Sequence, residues 1–357
     1  MKPATTIAVL LAAIIGTLPS SLMAQMLTDG PAATVGAKAV TVERIKVHSP
    51  AIEGNLEGES ADRDVLVVLP PSYGKEPGRR YPVIYALHGY SIGAEQWSQE
   101  IHLSTTAANA FAAGAKEMII VLPDSKTVHN GSMYSRSTAT GDFETFIARD
   151  LTGYVDKHYR TIARRESRGL AGHSMGGYGV SRIGMKHADM FGVLYMMSPC
   201  CLSAREAGPI DEAAMSRLTE VKTPAQSAGL PFILRAQLAA AAAWSPNPQN
   251  PPLYLDFPVK DGKVRPEILA KWAANAPLAF IDQYIGDLRR YKAIAIDVGD
   301  KDGLKNDART LHEVLDSNGI ANSFEIYEGD HTNRVAWRFQ DRLMPFFDQQ
   351  LDFATAK

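Results

Sequence analysis

Gly172-His173-Ser174-Met175-Gly176 follows a short strand-like stretch, Arg168 to Ala171, and precedes a helix-compatible run from Gly177. Strand, then G-x-S-x-G, then helix is the order of a sharp turn that lifts a serine hydroxyl above the C-terminal edge of a sheet. The glycines belong to the pattern because side chains at those points would clash as the backbone reverses. The pentapeptide alone is a weak signal, and its strand-to-helix setting makes it specific. A serine hydroxyl is a poor nucleophile near neutral pH, so a base and a group that orients the base must lie elsewhere in the chain.

Downstream, the strand-like run Ala293 to Ile296 leads into Asp297-Val298-Gly299-Asp300-Lys301-Asp302-Gly303, and Ser323 to Tyr327 leads into Glu328-Gly329-Asp330-His331. Both loops follow strand C-termini in the order serine, acid, histidine that this turn demands. His331 is the expected base; its rival His312 lies within a helical pattern, where a surface role fits better. Asp297 still belongs to the strand's end, whereas Asp300 and Asp302 both sit on the loop beyond, and the residues alone leave these two open. Acyl transfer also needs donors aimed at the developing oxyanion. Met175, after the nucleophile, and Tyr90, in His88-Gly89-Tyr90 after the run Val83 to Leu87, are placed to supply backbone N–H groups, with Gly89 admitting close approach. His88 and His173 are expected as buried, hydrogen-bonded scaffolding.

Other strand-like runs are Val65 to Leu69, Met118 to Leu122 and Val193 to Met197, several of them continuously apolar, as strands covered on both faces are. Helical patterns at Phe143 to Tyr159, Gly177 to His187, Asp307 to Asn318 and Val335 to Leu351 alternate with them. This alternation predicts a doubly wound, mostly parallel α/β sheet occupying residues 39–357 as one domain. Leu202 to Arg290 breaks the rhythm: an Ala/Leu-rich helix spans Ile233 to Trp244, prolines crowd Pro246 to Pro252, and a further helix runs from Pro266 to Asn275. The block reads as a cap-like insertion over the sheet's C-terminal edge, where ligands bind in such folds. Its Phe232, Ile233, Leu234, Trp244 and Trp272 are candidates to wall a substrate pocket, Trp244 and Trp272 foremost.

Charge and composition exclude some classes. A formal charge of −2 from 37 basic and 39 acidic residues, interspersed along the chain, leaves no footprint for nucleic acid. Residues 1–24 have the positive start, apolar middle and small-residue end of an export signal cleaved after Ala24; the apolar stretch is too short for a membrane span. The product is expected to be secreted or periplasmic, with residues 25–38 as a flexible leader. Only Cys200 and Cys201 are available, so a disulfide staple between distant segments is impossible; the pair is read as two small buried thiols, with a vicinal disulfide or an interchain bridge as alternatives. Histidine and cysteine spacings of metal sites are missing, and neither metal nor cofactor is expected. Oligomeric state is not readable.

Further residues carry a resemblance: Ser49-Pro50-Ala51 with Gly54-Asn55, Leu69-Pro70-Pro71-Ser72-Tyr73, Tyr81-Pro82-Val83-Ile84-Tyr85 before His88-Gly89, Leu122-Pro123-Asp124, and Thr140-Gly141-Asp142-Phe143-Glu144 ahead of the serine turn. From about Val40 to Asp352, apart from the insertion, the chain resembles the esterase D-like α/β-hydrolases, which include feruloyl esterases, S-formylglutathione hydrolases and mycolyltransferases. The resemblance implies ester hydrolysis through an acyl-enzyme, a Ser174–His331–Asp302 triad and an oxyanion hole at Tyr90 and Met175. It selects Asp302 over Asp300. Mycolyltransferases generally lack the histidine that stands here as His88, and an export signal argues against a cytosolic thioester. The expected substrate is therefore a small-molecule or polysaccharide-linked ester of the feruloyl or acetyl type. An acyltransferase and a non-catalytic hydrolase-fold binding protein are the alternatives.

Overall fold

The computed structural model describes residues 30–204 and 212–354. Eight strands form its main sheet: β1 Thr41–His48, β2 Asp62–Leu69, β3 Val83–Leu87, β4 Ile119–Pro123, β5 Arg168–His173, β6 Val193–Met197, β7 Ala293–Gly299 and β8 Ser323–Tyr327, in the order β1-β2-β4-β3-β5-β6-β7-β8. Pairing is antiparallel at β1–β2 and β2–β4 and parallel at every other junction. The fold is the α/β-hydrolase arrangement. All five residues of β3, of β4 and of β6 are buried, which accounts for their unbroken apolar runs.

One face of the sheet packs against the helical run 143–158, α3 Met175–Lys186 and α7 Lys305–Ser317 through Phe146, Leu151, Ile183 and Leu311. The other is covered by α1 Ala94–Glu100, α2 Leu103–Ala112 and the run 335–350 through Trp97, Ala107, Phe339 and Phe347. Fully burying a leucine, isoleucine or phenylalanine side chain such as these contributes about 1.5–3 kcal/mol, so both layers bind the sheet firmly.

Leu202 to Arg290 contains α4 Glu212–Glu220, α5 Phe232–Trp244, α6 Pro266–Ala273 and a short antiparallel ribbon, Val259–Lys260 with Lys263–Val264. It has an apolar cluster of its own, including Leu218, Leu234, Leu238, Leu253 and Leu255. This block is tied to the rest of the chain where Ser137 Oγ donates to Ala242 O (2.6 Å), Tyr178 Oη to Asn275 O (2.8 Å) and Arg182 Nη1 to Asn275 Oδ1 (2.8 Å).

Two features were not read from the sequence. The edge strand β1, with the sequence TVERIKVH, fully buries only Val47 and half-buries Val42 and Ile45, so it carries no apolar run. Within residues 30–38, read as part of a flexible leader, two backbone groups are held by α2: Asn109 Nδ2 donates to Ala32 O (2.9 Å) and Thr34 N donates to Asn109 Oδ1 (2.8 Å), while residues 32–36 are exposed. The export signal at 1–24 and the leader's first part lie outside the described residues. Among the described residues no helix is long and apolar enough to cross a membrane.

Candidate active site

Parallel pairing aligns the strand ends. Leu87 stands beside Gly172, His173 beside Met197, and Gly299 beside Tyr327, so the segments that follow β3, β5, β6, β7 and β8 emerge at one edge. Ser174 occupies the turn from β5 into α3 with φ 58° and ψ −115°, a backbone strain that presents its hydroxyl. The flanking glycines are obligatory on steric grounds. A Cβ on Gly172 would lie 2.4 Å from the Gly176 carbonyl, and one on Gly176 would lie 2.0 Å from Leu87 O. Gly89 is less constrained than its position suggested, because a Cβ there would meet Ser174 Cβ at an ordinary 3.5 Å.

Ser174 Oγ lies 2.9 Å from His331 Nε2, and His331 Nδ1 lies 2.7 Å from Asp302 Oδ2. A carboxylate only accepts, so Nδ1 carries the proton and Nε2 presents its lone pair to the serine. Burial pushes the Asp302 carboxyl up, but the hydrogen bond and charge of His331, with the Leu304 N–H at 2.9 Å on Oδ1, more than offset this and hold it below the usual carboxylate range. Asp300 is turned elsewhere, accepting from Gly329 N (2.8 Å), and Asp297 is buried under the sheet edge, accepting from Tyr195 Oη (2.7 Å) and Arg338 Nε (2.8 Å). His312 sits in α7 with Nδ1 2.7 Å from Asn322 Oδ1, remote from this chain of bonds.

His88 and His173 are both scaffolding. His88 Nε2 accepts from Ser125 N (2.8 Å), so Nδ1 carries the proton and donates to Gly89 O (2.8 Å). Burial lowers the His88 pKa, consistent with a neutral ring. His173 Nε2 donates to the carbonyl of His331 (2.8 Å); burial, with His331 a smaller contributor, pushes its imidazole down to about 3. A neutral ring thus pins the backbone of His331.

Met175 opens α3, where N–H groups lack intrahelical acceptors, and Tyr90 lies across from it beside Ser174 in the same cavity wall. Reading the sequence missed the segment that braces them. Ser91 N donates to Asn130 O (2.9 Å), Tyr90 Oη donates to His129 O (3.1 Å), and a Cβ on Gly131 would lie 2.7 Å from both Met175 Sδ and the Tyr90 ring. The position of 125–131 just beyond β4, at the same sheet edge, was the available signal.

The site opens into a cavity of about 590 Å³ lined by Ser174, His331 and Asp302 on one side and by Phe232, Leu234, Trp244, Phe257, Leu269 and Trp272 on the other. Trp244 and Trp272 meet edge to face at 5.5 Å. Their indole N–H groups are committed to Ser135 Oγ (3.2 Å) and Ser245 Oγ (2.9 Å), so both present apolar ring surface to a ligand. Cys200 and Cys201, read as buried thiols, are instead half-buried and line the cavity. Among the described residues no cluster of three or more histidine, cysteine or acidic side chains is arranged to hold a metal ion.

Residues 59–345 match the sequence model of the family described as "Putative esterase". Over 131 residues, 36% of this chain, the sequence is 31% identical to the esterase Rv1288 of Mycobacterium tuberculosis, and over 136 residues, 37% of the chain, 29% identical to an endo-1,4-beta-xylanase/feruloyl esterase of Xylanibacter ruminicola. These stretches span only 27% and 19% of those two relatives. A solved ferulic acid esterase superposes with a TM-score of 0.62 at 23% identity, covering 88% of this chain and 99% of that one.

Proposed function

Because the chain belongs to this esterase family, we propose that it is a secreted or periplasmic serine carboxylesterase that cleaves esters of bulky, apolar or aromatic acids through an acyl-enzyme. The observation that carries the reading is the hydrogen-bonded Ser174–His331–Asp302 chain opening directly onto an apolar cavity of about 590 Å³. Ser174 Oγ attacks the ester carbonyl while His331 Nε2 takes its proton, and the imidazolium is stabilised by Asp302. Charge developing on the carbonyl oxygen is met by the N–H groups of Tyr90 and Met175. His331 then gives the proton to the departing alcohol. Water attacks the acyl-serine with His331 again as base, releasing the acid and restoring the serine. The acyl group lies against Trp244 and Trp272, which offer ring surface and no free donor, so an aromatic acid such as a hydroxycinnamate fits this wall better than an acetyl group does. Similarity to feruloyl esterases supports the same substrate class.

A fluorophosphonate should label Ser174 alone, and Ser174→Ala should abolish labelling and lower turnover by up to about a millionfold. A panel of acetyl, aliphatic and feruloyl esters, run with and without added alcohols, tests the rest. Label at another residue refutes the nucleophile; an acylated alcohol as main product assigns a transferase instead. An N-terminus at Gln25 on protein recovered from the periplasm or medium tests the export proposal.

A further inference from the structure

Both cysteines of the chain lie next to each other in the wall of the cavity that holds Ser174 and His331. They follow β6 by two residues, so they are carried to the same sheet edge as the nucleophile turn. The Cys200 N–H donates to the carbonyl of Ser174 (3.2 Å), tying the pair to the nucleophile's own residue. Successive side chains of extended backbone point to opposite faces. Here Cys201 stands at φ 60°, in the left-handed region, and the two sulfurs lie 2.8 Å apart. Two adjacent thiols at one side of the chain, half-buried and open to a ligand cavity, are what a two-electron oxidation or a two-point soft ligand requires.

We propose that Cys200 and Cys201 form a dithiol–disulfide site in the acyl cavity, oxidised by exchange with a small disulfide, and that its state sets the room available to the acyl group. One cysteine thiolate attacks a sulfur of the incoming disulfide and expels the first thiolate. The other cysteine thiolate then attacks its neighbour's sulfur in the mixed disulfide and expels the second. The pair loses two protons and two electrons, and the oxidant leaves as two thiols. Cα atoms of neighbouring residues are about 3.8 Å apart, below the usual disulfide span. The bond is therefore readily reversed by thiols and acts as a switch rather than a staple. Closing this small ring draws both sulfurs together and reshapes the wall beside Ser174.

The proposal uses the esterase reading only for its kinetic consequence, so its test has an arm that needs no turnover. Full-length enzyme, reduced with a phosphine, freed of it and then exposed to excess glutathione disulfide, should lose the mass of two hydrogens while remaining a single chain on a non-reducing gel. Phenylarsine oxide should add once to the reduced form and not to the oxidised form, and Cys200→Ser and Cys201→Ser should each abolish both results. The ratio of kcat/KM for aromatic over acetyl p-nitrophenyl esters should change about tenfold on oxidation, the scale of small steric changes in an apolar pocket, and both serine variants should lose that dependence. An unchanged mass, interchain dimers, or arsenical uptake that persists in the serine variants overturns the site. A correct mass change with an unchanged ratio overturns its effect on the acyl cavity. Failure of Ser174 labelling overturns the esterase reading and leaves the mass result standing.

Discussion

Replacing Asp302 by asparagine should lower kcat by about 10⁴, or about 5 kcal/mol of transition-state stabilisation, with little change in KM. The reason lies in what each carboxylate oxygen accepts. Oδ2 receives His331 Nδ1–H at 2.7 Å and Oδ1 receives Leu304 N–H at 2.9 Å, and the side chain is 2% exposed, so water has little access to replace either bond. An amide has one accepting and one donating end. If its oxygen faces His331, its NH₂ confronts the Leu304 N–H and leaves a buried donor unsatisfied, at about 1–3 kcal/mol. The favoured flip puts oxygen on Leu304 and NH₂ on His331. That orientation makes Nδ1 the acceptor and moves the ring proton to Nε2, which can then no longer take the proton of Ser174. The measurement is saturation kinetics on a p-nitrophenyl ester, normalised to fluorophosphonate-titrated sites, with circular dichroism as a check on folding. Asp300→Asn is the control: its amide oxygen can still accept from Gly329 N, and the loss should stay below about tenfold. An Asp302→Asn enzyme within tenfold of wild type, or an equal loss in both variants, refutes the assignment.

Gly131→Ala should lower kcat about tenfold or more at a near-native melting temperature, because the new methyl displaces Met175 or the ring of Tyr90, and misplacement by an ångström is costly in catalysis; unchanged kinetics refute the bracing role. Trp244→Ala and Trp272→Ala should each lower kcat/KM for aromatic esters about 10- to 100-fold more than for acetyl esters, and equal losses on both classes would place these rings in the core rather than in a specificity wall. Glu144 tests the electrostatics away from the site. Burial raises its pKa, but His187, Arg182 and Lys186 outweigh this and depress it to about 2 from a normal 4.5. A depressed carboxylate stabilises the fold above its unfolded pKa and loses that contribution as pH falls through the folded value, so about 3 kcal/mol should disappear between about pH 5 and pH 2. Urea unfolding of wild type and Glu144→Gln across that window should show the steeper fall in wild type; parallel curves refute the shift.

The turn at Ser174, the loop that carries His331 and the fold class were legible in the sequence because each rests on local pattern. Continuous apolar runs such as Val83–Leu87 and Val193–Met197 are what burial on both faces of a sheet requires, and the glycines around Ser174 answer clashes within a few residues of themselves. β1 escaped because this edge strand buries little, with only Val47 fully covered and charged residues on both of its faces, so neither an apolar run nor an alternation marks it. The choice between Asp300 and Asp302 was beyond pattern, since both sit on one loop. Which carboxylate meets His331 is a tertiary matter: Asp302 N–H turns back on Gly299 O (3.1 Å) and its carboxylate lies against His331, while Asp300 caps the loop after β8. The brace at 125–131 and the exposure of Cys200 and Cys201 to the cavity were equally hidden, because both arise where loops from strands far apart in sequence converge at one sheet edge. Periodicity and turn chemistry act over a few residues and can be read along the chain; which loop tips face one another depends on strand order and register, and only the packed sheet sets those.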